Sequence, residues 1–280
     1  MNKLLRANFG RLRKDKIFWI CAIFMAVYAL LVCLFADQGG RIERDTIVFD
    51  SLFVCGYGFG QIVAVPGLVM AVLVSLFVGT EYSDGTLRNK LIVGRTRIEI
   101  YVSSFLTCAA AGVMLSGIYI VVSCAVGMPM YGGFQMEAGA LLLLVLDGTL
   151  AIVAYTAVFH MVSMLIGNKT ATAVITLLGV MVIMFVACYL LSRLSAPEYY
   201  DGLIMIDGAI STQRMPNDLY LRGGARTVTQ FIVDLLPSGQ CLQISNLTAL
   251  HPDRMPLYSL GIIAVVNAVG AMLFRKKDLK

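Results

Sequence analysis

Charge is scarce in this sequence. Of its 280 residues, 14% are Asp, Glu, Lys or Arg, where a soluble domain carries about 25%. That shortfall excludes a soluble enzyme and a disordered chain. Histidine is scarcer still, with two residues, and the seven Cys form no C-x-x-C, so a structural zinc site is excluded. Five of the cysteines lie inside apolar runs, where Cys is an ordinary small apolar residue. Cys55 and Cys241 alone are expected to reach a polar phase, and a disulfide between them stays open. No Lys follows a Gly, so G-K-[ST] cannot occur and there is no P-loop. H-E-x-x-H and a Ser/His/Asp elbow are missing too. A chain with no nucleotide site of its own uses ATP only through another polypeptide.

What is present is apolar. Hydrophobic residues make up 59%, and the mean hydropathy is +0.82. They fall into six runs of spanning length: 17–36, 61–79, 100–126, 138–166, 171–192 and 257–274. A bilayer interior offers no hydrogen-bonding water, so such runs fold as helices that satisfy their own backbone groups. The first run is too long for the apolar part of a signal peptide and no A-x-A site follows it, so it reads as a retained helix. Basic residues set the orientation. With the N-terminus inside, the segments 1–16, 80–99, 167–170 and 275–280 hold 15 of the 22 Lys and Arg, while 37–60, 127–137 and 193–256 hold 7. Both termini are therefore expected in the cytoplasm. The net charge of +5 then reflects topology and contact with lipid, not nucleic acid.

Three segments between the spans carry pattern. Residues 1–16 read as an amphipathic surface helix: Leu5, Phe9 and Leu12, with Leu4 beside them, make an apolar stripe, and Lys3, Arg6, Arg13 and Lys14 a cationic face. After span two, Ser83 or Asp84 is placed to cap a short helix in which Leu87 and Leu91 stack at i, i+4 and Arg88 and Lys90 take other faces. Gly94 suits the position just past its end. Thr96-x-x-Glu99 is a capping-box pattern that starts the third span. Periodicity leaves two roles open for the short helix: a membrane-surface element, or one that passes force from a soluble partner. The segment 193–256 holds five of the seven Pro, which predicts loops and short helices, with one amphipathic helix at 228–236 ended by Pro237. The two halves of the chain differ in loop length and show no internal repeat, which speaks against the duplicated plan of many secondary transporters.

Asp147 is the one formal charge inside a span, and such a residue is a candidate site by default, for a cationic substrate or a proton. Its alternative is structural, satisfied by Ser, Thr or Tyr on a neighbouring span. His160 is thirteen residues on, about 220° around the helix, so the two share no face. Asn267 is expected to bond between helices, and Pro66 to kink span two. Gly56-x-x-x-Gly60 and Gly112-x-x-x-Ser116 permit close helix contact.

Glu81-Tyr-Ser-Asp-Gly-Thr-Leu-Arg-Asn-Lys-Leu followed by Gly94-Arg-Thr-Arg-Ile-Glu-Ile-Tyr101 resembles the permease subunits of ABC transporters, in the type-two export family of multidrug and antibiotic-peptide exporters. Weaker echoes are the basic helix before span one, Asp234-Leu-Leu-Pro-Ser-Gly-Gln240 and Phe274-Arg-Lys-Lys-Asp-Leu-Lys280. The resemblance implies an all-α integral membrane protein of six transmembrane helices. It would have an N-terminal surface helix over 1–16, a six-span domain over 17–280, a coupling helix near 84–93 and a long extracytoplasmic segment over 193–256. It implies a permease dimer and two ABC-type ATPase subunits that bind ATP and Mg. Glu81, Asp84 and Arg88 would make the ATPase-facing or hinge contacts, with Gly85, Leu87 and Leu91 completing the coupling element. The location it implies is a bacterial cytoplasmic membrane, and the cargo a hydrophobic or amphipathic compound, peptide or lipid. The competing readings are a secondary transporter or channel that uses Asp147, and a membrane enzyme acting on lipid. The second is weakened by the lack of a D-x-x-D motif.

Overall fold

The computed structural model describes residues 1–35, 49–57, 64–206 and 209–278. Gly60, and with it the Gly56-x-x-x-Gly60 pattern, lies outside them, as does the start of the run expected at 61. Helix α1 covers Asn2–Lys14 and α2 Lys16–Phe35. A short α3 at Phe49–Val54 and a single 3₁₀ turn at Cys55–Tyr57 follow. Then come α4 (Val65–Ser83), α5 (Thr86–Ile92), α6 (Arg97–Tyr131), α7 (Ala138–Ile166) and α8 (Lys169–Ser195). A hairpin of β1 (Tyr199–Ile206) and β2 (Ala209–Pro216) leads to α9 (Gly223–Leu235), α10 (Pro237–Ser245) and α11 (Met255–Lys276). Among the described residues six helices, α2, α4, α6, α7, α8 and α11, are long and apolar enough to cross a membrane. The protein is a helical membrane bundle, as its apolar runs require.

The starts of these helices are chemically marked. Thr96 and Glu99 form a reciprocal capping box: the Thr96 hydroxyl accepts from the Glu99 N–H at 3.2 Å, and the Glu99 carboxylate accepts from the Thr96 N–H at 3.3 Å. Asn168 caps α8 by accepting from Thr170 and Ala171. Pro66 sits in the first turn of α4, where a missing N–H is harmless. It opens that helix instead of kinking it. Asn267 donates to the Ile263 carbonyl of its own helix at 2.8 Å, not across to a neighbour.

The core lies where α4 is enclosed by α7, α8 and α2. Gly112 lets α6 close on this centre: a side chain there would meet Ile152 of α7 at 3.0 Å and Met70 of α4 at 3.1 Å. By contrast α8 and α11 turn most of their apolar surface outward, toward lipid or another subunit. The termini, α5 and the α7–α8 turn gather at one end of the bundle, called here the termini end. The hairpin, α9 and α10 lie at the other.

The segment 193–256 departs most from expectation. Its hairpin, paired from Tyr199↔Pro216 to Ile206↔Ala209, was not anticipated from the proline content. Helix α9 begins five residues before the expected 228, and Pro237 starts a further helix directly. Every residue of α10 is buried, although Ser238, Gln240, Gln243 and Ser245 are polar. Nine such residues would not hold a helix in water; here the bundle supplies partners. Ser238 shares a hydrogen bond with Tyr155 of α7, Gln240 accepts from Ser259 of α11 at 2.7 Å, and Gln243 donates to Asp234 at 3.0 Å. Cys241 is therefore interior, with burial pushing its thiol up to about 12. Both Cys55 and Cys241 are free thiols.

Candidate coupling site at the termini end

The chain leaves α4 through two residues. Asp84 continues the right-handed conformation, then Gly85 reverses it at φ +67° and serves as the N-cap of α5. Neither expected cap forms. The Ser83 hydroxyl donates back to the Gly79 carbonyl at 3.0 Å, and Asp84 is exposed. The Thr86 hydroxyl instead donates to the carbonyl of Glu81 at 3.1 Å, tying the new helix to the end of the old one. At its far end α5 closes as the sequence suggests. Gly94, at φ +84°, donates to Leu91 at 2.9 Å and Arg95 to Lys90 at 3.1 Å, the paired bonds of a Schellman motif.

Leu87 pins α5 from beneath. It is 2% exposed and packs with Leu4 of α1 and Ile100 of α6, with Leu91 partly covering the same cluster. Asp84 and Arg88 point outward, and the helix ends in an apolar tip, Ile92 at 81% and Val93 at 76% exposure. One face of α5 is anchored and the other is offered.

Glu81 does not face outward. Its side chain is fully buried, and Oε1 takes Arg11 of α1 at 2.5 Å and Lys90 of α5 at 2.7 Å. Arg11 also donates to the Phe77 carbonyl at 2.7 Å and lies 3.8 Å over the Phe77 ring. Lys90 donates onward to Asn8 at 2.9 Å, and Asn8 to Ser103 of α6 at 3.4 Å. One carboxylate thus joins α1, α4 and α5, with α6 reached through Asn8. Both cations meet Oε1, and Oε2 has no hydrogen-bond partner among the described residues, so the joint rests on one oxygen, and removing either cation weakens it. Sequence reasoning named Glu81 but not Arg11, Lys90 or Asn8 as its partners. The signal was available: a carboxylate ending an apolar span needs a cation, and Arg11 is the α1 base on the buried side. The face of α1 that packs is Leu4, Asn8 and Leu12, while Phe9 remains exposed.

A second clasp lies beside the first. Arg97 of α6 donates to the carbonyls of Phe274, Arg275 and Lys277, taking up the open end of α11. Lys277 donates to the Tyr82 hydroxyl at 3.0 Å and the Met164 carbonyl at 3.1 Å, and Tyr82 donates to Met164 as well. These contacts bind the ends of α4, α7 and α11 together.

Asp147 stands apart from all this. It is fully buried in α7, and among the described residues neither of its oxygens has a hydrogen-bond partner. The structural satisfaction by a neighbouring hydroxyl is not made, although the Tyr57 ring packs against the adjacent Gly148. His160, about 20 Å along the helix axis, is also buried and has no hydrogen-bond partner among the described residues; it is set edge-on to Tyr101 with ring centroids 4.7 Å apart. The two do not form a relay.

A family model described as ABC-2 family transporter protein matches residues 4–187, more than half of the chain. The match takes in most of α1, the anchored turn at Glu81, all of α5 and Asp147, ends within α8, and stops short of the hairpin, α9, α10 and α11. No curated protein matches the chain.

Proposed function

Since the chain belongs to the ABC-2 family of transporter proteins, we propose that it is the permease subunit of an ATP-driven exporter, moved by a separate ABC-type ATPase that binds ATP and Mg. The family makes it a multi-pass membrane transport subunit; the partner, the direction and the cargo are our reading. In it the termini end faces the cytoplasm, where the Lys and Arg of the sequence concentrate. The observation that carries the reading is the construction of α5. Its outer face presents Arg88 and Ile92, flanked by Asp84 before the helix and Val93 just past it, while its inner face is tied through Glu81, Lys90 and Leu87 to α1, α4 and α6. A push on that face reaches two spans without passing through a flexible loop. The permease acts as a dimer, with itself or with a sister chain, in the cytoplasmic membrane.

A groove of about 650 Å³ between α2, α4 and α8, lined by Phe24, Tyr28, Val69 and Leu177 among others, is wholly apolar. It supports a hydrophobic or amphipathic cargo. The test is co-purification and site-specific crosslinking. A cysteine at Ile92 should crosslink to a stoichiometric ATPase, and a cysteine at Leu250, exposed at the opposite end, should not. Crosslinking at neither position would sink the assignment.

A second reading is favoured by one observation, the buried and unpartnered carboxyl of Asp147. It makes the chain a secondary transporter or channel in which Asp147 takes a cation or proton. Cargo movement by the purified chain without any ATPase, lost in Asp147→Asn, would establish this reading in place of the first.

A further inference from the structure

Below α5, between the ends of α4, α7 and α11 and the start of α8, lies an open cavity of about 800 Å³. Tyr82, Arg88, Asn168, Lys169, Lys277 and Asp278 are among its lining residues. It holds three cations against the one exposed carboxylate of Asp278. None of Arg88, Lys169 and Lys277 has an ion-pair partner among the described residues. Lys277 is the sharpest case. Its ammonium is half-buried, donates only to neutral oxygens on Tyr82 and Met164, and lies 4.4 Å from the centre of the Tyr82 ring. Burial lowers its pKa from the ordinary lysine value, the mark of a cation short of compensation. The α11 carbonyls that would favour it are already taken by Arg97. The N-terminal end of the 27-residue α8 adds further positive potential.

We propose that this cavity holds the phosphate of an anionic phospholipid headgroup. Depth selects the ligand. The walls are the last turns of three apolar spans and the first turn of a fourth, which is the level of the headgroups. A basic recess between span ends at that level matches lipid phosphate in charge and position. An acidic side chain of a soluble partner fits less well, because Arg88 is the one residue shared with the outward side of α5, while Ile92 and Val93 at its tip do not line the recess. A lipid held here touches Arg88 on α5, Lys169 on α8 and Lys277 after α11. It therefore bears on the position of the proposed coupling helix. The inference rests on the proposed function only for the leaflet: a chain inserted the other way round would still hold the lipid.

The experiment uses the full-length chain in nanodiscs of phosphatidylcholine with a minor fraction of phosphatidylglycerol, and reads retained lipid by native mass spectrometry. Wild type should retain phosphatidylglycerol in preference to phosphatidylcholine. Lys169→Ala and Lys277→Ala should each weaken retention about fivefold, the effect of one cation at an anionic surface, and Lys169→Glu should abolish it. Lys169 is exposed and its ammonium has no hydrogen bond or ion pair among the described residues, and Lys169→Glu keeps the Cβ and Cγ that lie against Gly79, so it reports on binding even if Lys277→Ala disturbs packing. Equal retention in wild type and Lys169→Glu, or no preference for phosphatidylglycerol, overturns the proposal. Binding of glycerol 3-phosphate or inorganic phosphate as tight as that of the lipid overturns the lipid identity and leaves a soluble-phosphate site. Impermeant labelling of a cysteine at Lys169 from one side of a vesicle reads the leaflet separately. The wrong side there would fault the orientation and not the lipid.

Discussion

Glu81 and Asp147 are both carboxylates buried completely in apolar helices, yet they have opposite surroundings. Glu81, at the end of α4, is met by two cations from two other helices. Asp147, well inside α7, is met by no hydrogen-bond donor among the described residues. A buried charge with matched partners is a joint: it fixes where α1 and α5 lie against the spans. A buried acid without partners among the described residues ties no elements together. The first stands at the termini end, where α1, α4 and α5 meet. The second is the residue on which the secondary-transporter reading rests.

Breaking the joint should have the largest effect. Arg11→Met removes one of the two cations from the buried Glu81 carboxylate, together with the bond to the Phe77 carbonyl, and should destabilise the protein by about 3 kcal/mol, read as a lower thermal transition in detergent. The triple replacement of Glu81→Leu, Arg11→Met and Lys90→Met removes all three charges together and should recover most of that stability. An Arg11→Met protein as stable as wild type would mean that the pair is not formed. The contrast with Asp147 sharpens next. Asp147→Asn keeps shape and removes only the ionisable group, so thermal stability should hold or rise by about 1 kcal/mol, whereas Glu81→Gln should lower it by about 2 kcal/mol. Equal losses in the two variants would erase the distinction. Gly94→Ala places a side chain at φ +84° and should cost about 1 kcal/mol, with faster hydrogen exchange confined to α5. Smallest in stability, Ile92→Ser with Val93→Ser should stay within about 0.5 kcal/mol of wild type and still weaken capture of the ATPase.

The same contrast runs through what the sequence made legible. At the termini end the signals are local. The Thr96–Glu99 box, the Gly94 stop and the Leu87–Leu91 pair sit within a few residues of one another, and each appears in the structure as its chemistry dictates. Where a partner is distant in sequence, the local pattern misled. The stripe of Leu5, Phe9 and Leu12 suggested one apolar face on α1, but Asn8 lies between Leu4 and Leu12 on the buried side because Lys90 and Ser103 wait there. The fold of 193–256 was hidden for the same reason. The helix α10 depends on Tyr155, Asp234 and Ser259 for its polar side chains, none of them visible in its own nine residues. The hairpin was more accessible. Asp207-Gly208 falls in the sequence between the stretches that become β1 and β2, a composition that favours tight hairpins, while the five prolines of 193–256 point to loops.

The most direct test of the central claim, that α5 carries force between an ATPase and the spans, is the ratio of ATP hydrolysed to cargo exported in vesicles holding the permease and its ATPase. In Glu81→Gln and Arg88→Ala the account predicts normal insertion and continued hydrolysis with export largely lost, so that the ratio climbs steeply in both. An unchanged ratio in both variants would contradict it.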